Sequence, residues 1–418
     1  MKLIQSLLCA LMATFAVPVC AETLTPLRAH DVRSTIGINT HVNYTDGSYR
    51  APDEVYKALD YLGIKLIRDS SPFPWVGGST GVNTYTDLMK QGVKFNILVF
   101  GQGPGANYDP KIPVDLIDNL EWAYPGGVVA IEGFNEIDHA PVTYGDQRTE
   151  ASSIAAHLET VRLIRERKRM KHLPIYDLTG AAVPQALGPR GDYANKHVYA
   201  QNGNPPRPHF EGAHRGLSGL KPWVVTEFGY ATYPEIDWLV IGVDERTQAK
   251  GVLMGIFDAY HLGASSIYLY ELLDQKLEPH REMHFGLFDY HYKPKPAATA
   301  VRNLIRIIED KGEGAKTFTP RSLEVGLTLP EGTFTLALDK ADGVTQLAIW
   351  RETQIWVREV GKRKDNPPVP LTVKLPNGAE ARALYDPLVS DQPVKSYGGE
   401  GQVTIDLPDY PVILEFSR

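Results

Sequence analysis

The stretch VVAIEGFNEID, residues 128–138, is the most informative part of the sequence for the fold. It opens as a continuous apolar run and ends on an amide beside a carboxylate, Asn135 and Glu136. An apolar run without alternation is typical of a parallel strand covered by helices on both faces of its sheet. A second run, WVVTEFGY at 223–230, carries Glu227 in the same place. We interpret both runs as buried parallel strands that bring carboxylates to their carboxyl ends.

Eight such runs alternate with amphipathic stretches between about residue 36 and residue 312. The predicted strands are IGINTH (36–41), KLIRDS (65–70), KFNILVF (94–100), VVAIEGFNE (128–136), PIYDLTG (174–180), KHVYA (196–200), WVVTEFG (223–229) and SIYLYEL (266–272). Eight strands alternating with helices favour an α/β fold, a (β/α)8 TIM barrel.

The helices between these strands differ in clarity. The two clearest patterns put a set of apolar residues on one face every three to four positions. One helix is predicted at 150–170 and another at 245–262, and a final helix at 295–311 would close the barrel. The stretch 181–195 is a poor helix. The apolar faces are Ile154, Leu158, Val161 and Ile164 in the first helix, and Ala249, Leu253, Ile256 and Tyr260 in the second.

After residue 312 the pattern changes to alternating polar and apolar residues around turns such as Pro-Asn-Gly at 376–378. This alternation predicts a small C-terminal antiparallel β-sandwich domain at 313–418, packed on a barrel at 22–312. The small domain either binds carbohydrate or supports the barrel, and the exposed-looking Trp350 and Trp356 do not decide between these roles. The second interpretation is favoured.

The first 21 residues have the pattern of a targeting segment. Lys2 precedes the apolar run LLCALMATFAVPV, and small residues favour cleavage after Ala21. A lipid-attachment role for Cys20 is the alternative, although Pro18 and Val19 suit it poorly. Cys9 and Cys20 are the only cysteines, so the mature chain would have no disulfide. We expect export to a bacterial periplasm or beyond, with no membrane span.

Composition excludes one class of partner. The chain has 418 residues, of which 43% are hydrophobic and 22% charged, and its formal net charge is -7. A negative chain offers no basic field to nucleic acid. No nucleic-acid partner is therefore expected, and the oligomeric state stays open.

Two carboxylates at one barrel mouth suit the cleavage of a glycosidic bond. The carboxyl ends of the strands form the active face of such barrels. The predicted fourth and seventh strands lie across that mouth from each other, so Glu136 and Glu227 can face one ligand. One carboxyl group must donate a proton while the other is ionised, and burial and mutual repulsion separate their pKa values. This chemistry needs neither a metal nor a cofactor.

Asn135-Glu136 at the fourth strand and Glu227 at the seventh resemble the signature of clan A glycoside hydrolases, which are retaining β-glycosidases on (β/α)8 barrels. The resemblance covers the whole barrel. His41 at the first strand, the appended β-sandwich and the secreted context are similar to family 39. Families 5 and 30 are close rivals.

The resemblance implies a role for each matching residue. Glu136 would be the acid/base and Glu227 the nucleophile, which are the two catalytic residues. The remaining residues would bind substrate or support the pair: Asn135 at the sugar 2-hydroxyl, Arg68 and Tyr199 at the nucleophile, and His41 and His197 lining the site. Many clan members have Trp at the end of strand eight as a sugar platform, where this chain has Tyr270 and Glu271.

Other interpretations of these residues stay open. Arg68 pairs with Asp69 or Asp46 in a purely structural reading. Trp75 and Phe100 are either sugar platforms or loop packing, and His280, His284 and His291 match no helical metal motif. At the level of function, the implied activity is endo-acting hydrolysis of an extracellular polysaccharide, a bacterial exopolysaccharide or plant-type β-glycan. A non-catalytic polysaccharide-binding protein and a transglycosylase are the alternatives.

Overall fold

The computed structural model describes residues 20–73, 82–100, 106–181, 183–200, 203–233 and 242–417. Within them, eight parallel strands form one sheet. The strands are β1 (Ile36–Asn39), β2 (Leu66–Ser70), β3 (Lys94–Leu98), β4 (Val128–Glu132), β5 (Ile175–Tyr176), β6 (Ala194–Val198), β7 (Trp223–Phe228) and β8 (Ile267–Leu269). Their order in the sheet is β6-β7-β8-β1-β2-β3-β4-β5. The predicted barrel is confirmed.

The barrel closes weakly between β5 and β6. A single bridge, Tyr176 with Tyr193, replaces a full ladder there. Residues 181–195 contribute no helix in the part of the chain that the structure describes. The helices are α1 (Ala29–Thr35), α2 (Pro52–Leu62), α3 (Val82–Lys90), α4 (Lys111–Ala123), α5 (Glu150–Glu166), α6 (Arg207–Gly216), α7 (Glu245–His261) and α8 (Pro296–Ile307). Short 3-10 helices span Ser48–Arg50, Arg281–Met283 and Arg358–Val360.

Local sequence explains where the two long helices begin. The Thr149 hydroxyl accepts a hydrogen bond from Ser152 N–H and the Ser152 side chain returns one, a capping box for α5. Asp244 caps α7 by accepting from Thr247 N–H. The predicted apolar face of α7 is confirmed, since Ala249, Leu253, Ile256 and Tyr260 are all buried.

The predicted face of α5 was wrong at one residue. Leu158 is 37% exposed. The buried side of α5 instead includes polar residues such as Ser153, His157 and Thr160 beside Val161 and Ile164. A hydrophobic pattern misses such a face because each polar side chain finds a partner within the fold.

Several predicted strands extend too far at their carboxyl ends. Strand β4 ends at Glu132 and β5 at Tyr176, whereas the predictions continue to 136 and 180. Asn135 and Glu136 therefore lie in the loop after β4, and Glu136 has a positive φ of 41°. Apolar loop residues such as Phe134 and Ile137 are buried against the barrel, so hydrophobicity alone cannot mark the strand end.

The C-terminal part is the predicted β-sandwich. One sheet contains β9 (Leu323–Leu327), β12 (Val369–Lys374) and β15 (Gln402–Leu407). The other contains β10 (Thr333–Asp339), β11 (Val344–Arg351), β13 (Glu380–Tyr385), β14 (Pro393–Ser396) and β16 (Val412–Ser417). Apolar residues from both sheets, including Val325, Leu347, Val373 and Phe416, share one core. Two short hairpins lie outside these sheets, Thr143–Tyr144 with Gln147–Arg148 and Trp356–Val357 with Lys362–Arg363.

Two N-terminal strands belong to these sandwich sheets. Cys20–Leu24 pairs antiparallel with β9, and Leu27–Arg28 pairs parallel with β10. Residues 22–28 thus contribute to the C-terminal domain, although 22–312 was predicted as barrel. A cut after Ala21 would leave Glu22–Leu24 paired with β9. No helix among the described residues is long and apolar enough to cross a membrane.

The two domains share a buried interface along α7. Trp350 stacks on Phe257 at 5.6 Å and donates Nε1–H to Asp258 at 3.1 Å. Lys250 of α7 pairs with the buried Asp409 at 2.7 Å. Trp350 and Trp356 are both buried, so the expectation that they are exposed was wrong. These two tryptophans support the barrel and offer no platform to a sugar.

Candidate active site

Arg68 of β2 is the hub of the barrel mouth. Its guanidinium donates to both oxygens of Glu132, at 2.8 and 2.9 Å. It also donates to Glu227 Oε1 at 2.6 Å, to Asn135 Oδ1 at 2.8 Å and to Asn39 Oδ1 at 2.8 Å. Burial opposes the charge, but Glu132 and Glu227 outweigh it and raise the Arg68 pKa. The alternative pairings are not made.

Asp69 and Asp46, the two alternative partners of Arg68, bind elsewhere. Asp69 accepts from the Thr40 hydroxyl at 2.6 Å and from Val42 N–H at 2.9 Å. Asp46 pairs with Lys276 at 2.7 Å. Arg68 therefore pairs with Glu132 and Glu227 at the barrel mouth, and with neither Asp69 nor Asp46.

Glu132 is a site residue that the sequence analysis missed. It is completely buried, and besides Arg68 it accepts from Asn96 at 2.8 Å and from Asn195 at 3.0 Å. The hydroxyl of Thr226 lies 3.0 Å from it. The signal was present as a carboxylate inside the apolar run VVAIE, four residues before Glu136. Buried charges are paired and hydrogen-bonded, so such a residue implies a buried cation.

Glu227 lies at the end of β7 with 7% of its surface exposed. Arg68 donates to Oε1, and the Tyr199 hydroxyl donates to Oε2 at 2.6 Å. Burial first, and the charge of Glu227 second, raise the Tyr199 pKa well above its ordinary value, so the phenol keeps its proton. These two hydrogen bonds hold the carboxylate of Glu227 in place at the mouth of the barrel.

Glu136 has a more open setting, with 36% of its side chain exposed. Its backbone N–H donates to Thr179 Oγ1 at 2.9 Å, which fixes the loop after β4. Its Oε1 lies 2.8 Å from His197 Nδ1. Burial acts to raise the Glu136 pKa, but the hydrogen bond with His197 and the imidazole charge lower it overall.

His197 of β6 lies between the two glutamates. Its Nδ1 is 2.8 Å from Glu136 and 3.5 Å from Glu227. Burial lowers the His197 pKa, but Glu227 and Glu136 raise it overall. One oxygen of each glutamate and a ring nitrogen of His197 all lie within 4.8 Å of one another. The predicted facing of the two carboxylates is thus present in the structure.

His41 and Tyr270 form an aromatic wall on the β1–β8 side. His41 stacks on Tyr44 at 4.7 Å and meets Tyr270 edge-on at 5.7 Å. Its Nε2 is 3.3 Å from the buried Glu271, and burial lowers the His41 pKa to about 4. The Tyr270–Glu271 peptide bond is cis. Tyr270 also packs edge-on against Tyr199. It directly follows β8, at the position where many clan A enzymes have Trp.

These residues line one cleft of about 850 Å³. It contains every predicted site residue: Arg68, His41, Asn135, Glu136, His197, Tyr199, Glu227 and Tyr270. Phe100 also lines it and packs against Phe73 at 4.3 Å between ring centres. Trp75 lies outside the described residues.

The histidines of the loop after β8 do not gather into a metal site in the part of the chain that the structure describes. Among the described residues, the one group with closely spaced ligand atoms is Glu136, His197 and Glu227. His284 instead stacks on Tyr233 at 5.0 Å and lies 3.6 Å from Asp274.

No protein-family model matches the sequence, and no curated protein matches it. Solved structures do match. A monomeric β-xylosidase from Caulobacter crescentus CB15 superposes with a TM-score of 0.61 and 15% identity, over 94% of this chain and 97% of that chain. A family 39 glycoside hydrolase from the gut symbiont Bacteroides cellulosilyticus WH2 gives 0.60 and 13%, over 92% and 81%.

The chain has the fold of the family 39 glycoside hydrolases. The family 30 subfamily 8 xylanase Xyn30A from Clostridium acetobutylicum shares that fold, with a TM-score of 0.55 and 10% identity over 96% of this chain and 98% of that chain. The family 39 fold includes both the barrel and the sandwich, as the coverage requires. The likeness concerns the fold.

Proposed function

We propose that the protein is a retaining β-glycosidase with Glu227 as nucleophile and Glu136 as acid/base. The observation that carries the proposal is the pair of carboxylates with oxygens within 4.8 Å in one cleft. Retaining enzymes hold their carboxyl groups about 5–5.5 Å apart, whereas inverting enzymes need about 6.5–9.5 Å to fit a water. The fold shared with family 39 enzymes supports the same class.

The two environments support the division of roles. Glu227 is buried and receives hydrogen bonds from Arg68 and Tyr199, so it attacks the anomeric carbon as an anion. Glu136 is more exposed and faces the cleft, where it can protonate the leaving oxygen and later activate water.

The proton that Glu136 donates has a source beside it. The Glu136 pKa is lowered and the His197 pKa is raised, so a proton between them rests on the imidazole. A sugar that fills the cleft excludes water from Glu136, and desolvation raises a carboxyl pKa. Substrate binding thus favours transfer of the proton from His197 to Glu136.

We further propose internal cleavage of an extracellular polysaccharide by an exported protein. Cleft residues after β2 and β3, such as Phe73 and Phe100, and others on α6, such as Gly212, lie at opposite sides of the barrel mouth. A chain can therefore extend to both sides of the carboxylate pair. The export proposal depends on residues 1–21, and N-terminal sequencing of the mature protein tests it.

The decisive experiment is azide rescue on aryl β-glycosides and a panel of β-glycans. Glu227→Ala should lose activity, and azide should restore it with an α-glycosyl azide as product, because the small anion takes the place of the nucleophile. Glu136→Ala with azide should give the β-glycosyl azide. The matched control is Glu166→Ala, a change at an exposed residue of α5.

Unchanged activity of Glu227→Ala would refute the assignment. Inversion of configuration by the unaltered enzyme would refute double displacement. Binding to a glycan without cleavage by any variant would favour the non-catalytic alternative.

A further inference from the structure

The cleft has an arm that the proposed chemistry does not use. This arm is the part of the cleft lined by Thr179 and Gly180, next to Glu136, and by Lys196, His209 and small residues of helix α6. The arm begins on the side of the acid/base residue. Because Glu136 protonates the leaving oxygen, the leaving sugar departs on this side.

The arm exists because the fifth βα unit lacks its helix. Residues 181–195 contain Pro184 and Pro189, which disfavour a helix. The loop is held on the barrel instead, since Arg190 binds Asp177 at 3.0 Å and Gln185 Nε2–H donates to Leu178 O at 3.0 Å. A helix at this position would cover the outer side of β6.

Helix α6 leaves the arm wide. Gly212, Ala213 and Gly216 line the arm in place of larger side chains. A Cβ added at Gly216 would meet nothing within 4 Å, and one at Gly212 would meet only the flexible end of Arg215 at 3.9 Å. The wall therefore has room for a ligand at both glycines.

Among the described residues that line this arm, Lys196 is the only lysine or arginine. Its ammonium makes no ion pair or hydrogen bond within the described part of the chain. Burial lowers the Lys196 pKa, although Asp177 acts to raise it. The nearby carboxylates have other partners, because Asp177 binds Arg190 and Glu211 binds Arg207 at 2.8 Å.

A half-buried cation without a partner is costly unless an anion reaches it. We propose that this arm is a subsite for a carboxylate-bearing sugar, such as a uronic acid, on the leaving-group side, with Lys196 as the residue that binds the carboxylate. This inference rests on the proposed function for the direction of the chain, and it names the substrate class as an acidic glycan.

The test measures binding without cleavage, so that it does not depend on catalysis. Glu227→Gln is run by affinity electrophoresis through gels that contain uronate-bearing glycans, each beside the same glycan after chemical reduction of its carboxyl groups. Lys196→Gln and Lys196→Arg are introduced into that background. The matched control is Lys168→Gln, which removes the same charge from an exposed site in the turn after α5.

We expect at least one acidic glycan to retard the protein, and its reduced form to do so much less. Lys196→Gln should raise the apparent Kd about tenfold or more, since it removes a charge-assisted contact. Lys196→Arg should restore most of the binding, and Lys168→Gln should change nothing.

Equal retardation by acidic and reduced glycans would overturn the inference, as would normal binding by Lys196→Gln or the absence of retardation in every acidic gel. The proposed function fails by a different result, namely the absence of rescue in the azide experiment. The failure of one proposal can therefore be told apart from the failure of the other.

Discussion

Replacement of Glu132 by Gln should destabilise the whole fold, although the change is nearly isosteric. The carboxylate accepts four N–H hydrogen bonds, two from Arg68 and one each from Asn96 and Asn195. A Gln side chain presents an NH2 group to one pair of these donors. Asn96 can turn its unpaired Oδ1 to meet that group, but an Arg68 N–H still faces it.

The magnitude follows from the burial of the pair. Breaking a buried ion pair by removing one partner costs about 3–5 kcal/mol. The entropy of unfolding is about 2.1 cal/mol/K per residue, so it is roughly 0.8 kcal/mol/K for a chain of this length. We therefore expect Glu132→Gln to lower the Tm by about 4–6 °C in calorimetry at pH 7.

The control is Glu166→Gln, which removes one carboxylate of an exposed ion pair with Arg162. Exposed pairs contribute about 0–1 kcal/mol, so its Tm should move by roughly 1 °C or less. A Glu132→Gln protein that melts together with this control would refute the view that Glu132 is the acceptor that holds Arg68 in place.

Three further predictions concern the site and the domain interface. Tyr199→Phe removes a charge-assisted hydrogen bond to Glu227 of about 1.5–3 kcal/mol, so kcat/KM should fall about 10- to 100-fold; an unaltered kcat/KM would contradict this. His197→Asn removes the imidazole on which the proton shared with Glu136 rests, so the alkaline limb of the pH–rate profile should move to lower pH; a shift to higher pH would contradict it. Burial and the neighbouring Asp258 raise the Glu352 pKa, so native stability is lost as pH rises above the ordinary carboxyl value. Glu352→Gln should therefore melt higher than the unaltered protein at pH 9, with a smaller gain at pH 5.

Local patterns in the sequence were sufficient for the architecture. The apolar runs that became β4 and β7 are continuous because both faces of a barrel strand are covered, and this burial is readable without any contact map. The same logic placed Glu136 and Glu227 at the barrel mouth. The arginine Arg68 was assigned through resemblance, and its own neighbours in the sequence left its partner undecided.

The ends of the strands were beyond that logic. Residues 133–137 form a loop whose apolar residues Phe134 and Ile137 are buried against the barrel. Hydrophobicity therefore does not mark the residue at which β4 ends. The burial of Trp350 against Phe257 could not be predicted from the sequence either. The face of a sandwich strand that contacts another domain has the same sequence pattern as a solvent-exposed face that carries aromatic residues.

The eight barrel strands, the sandwich and the two carboxylates could all be predicted from the sequence, since each follows from short-range periodicity and from residue type. That Glu132 shares Arg68 with Glu227, and that Lys196 lines an arm of the cleft, became known from the three-dimensional structure. These contacts join residues from different strands and helices, and their distances depend on the closure of the barrel. Periodicity records which side of an element is buried, whereas a site depends on which other element lies opposite.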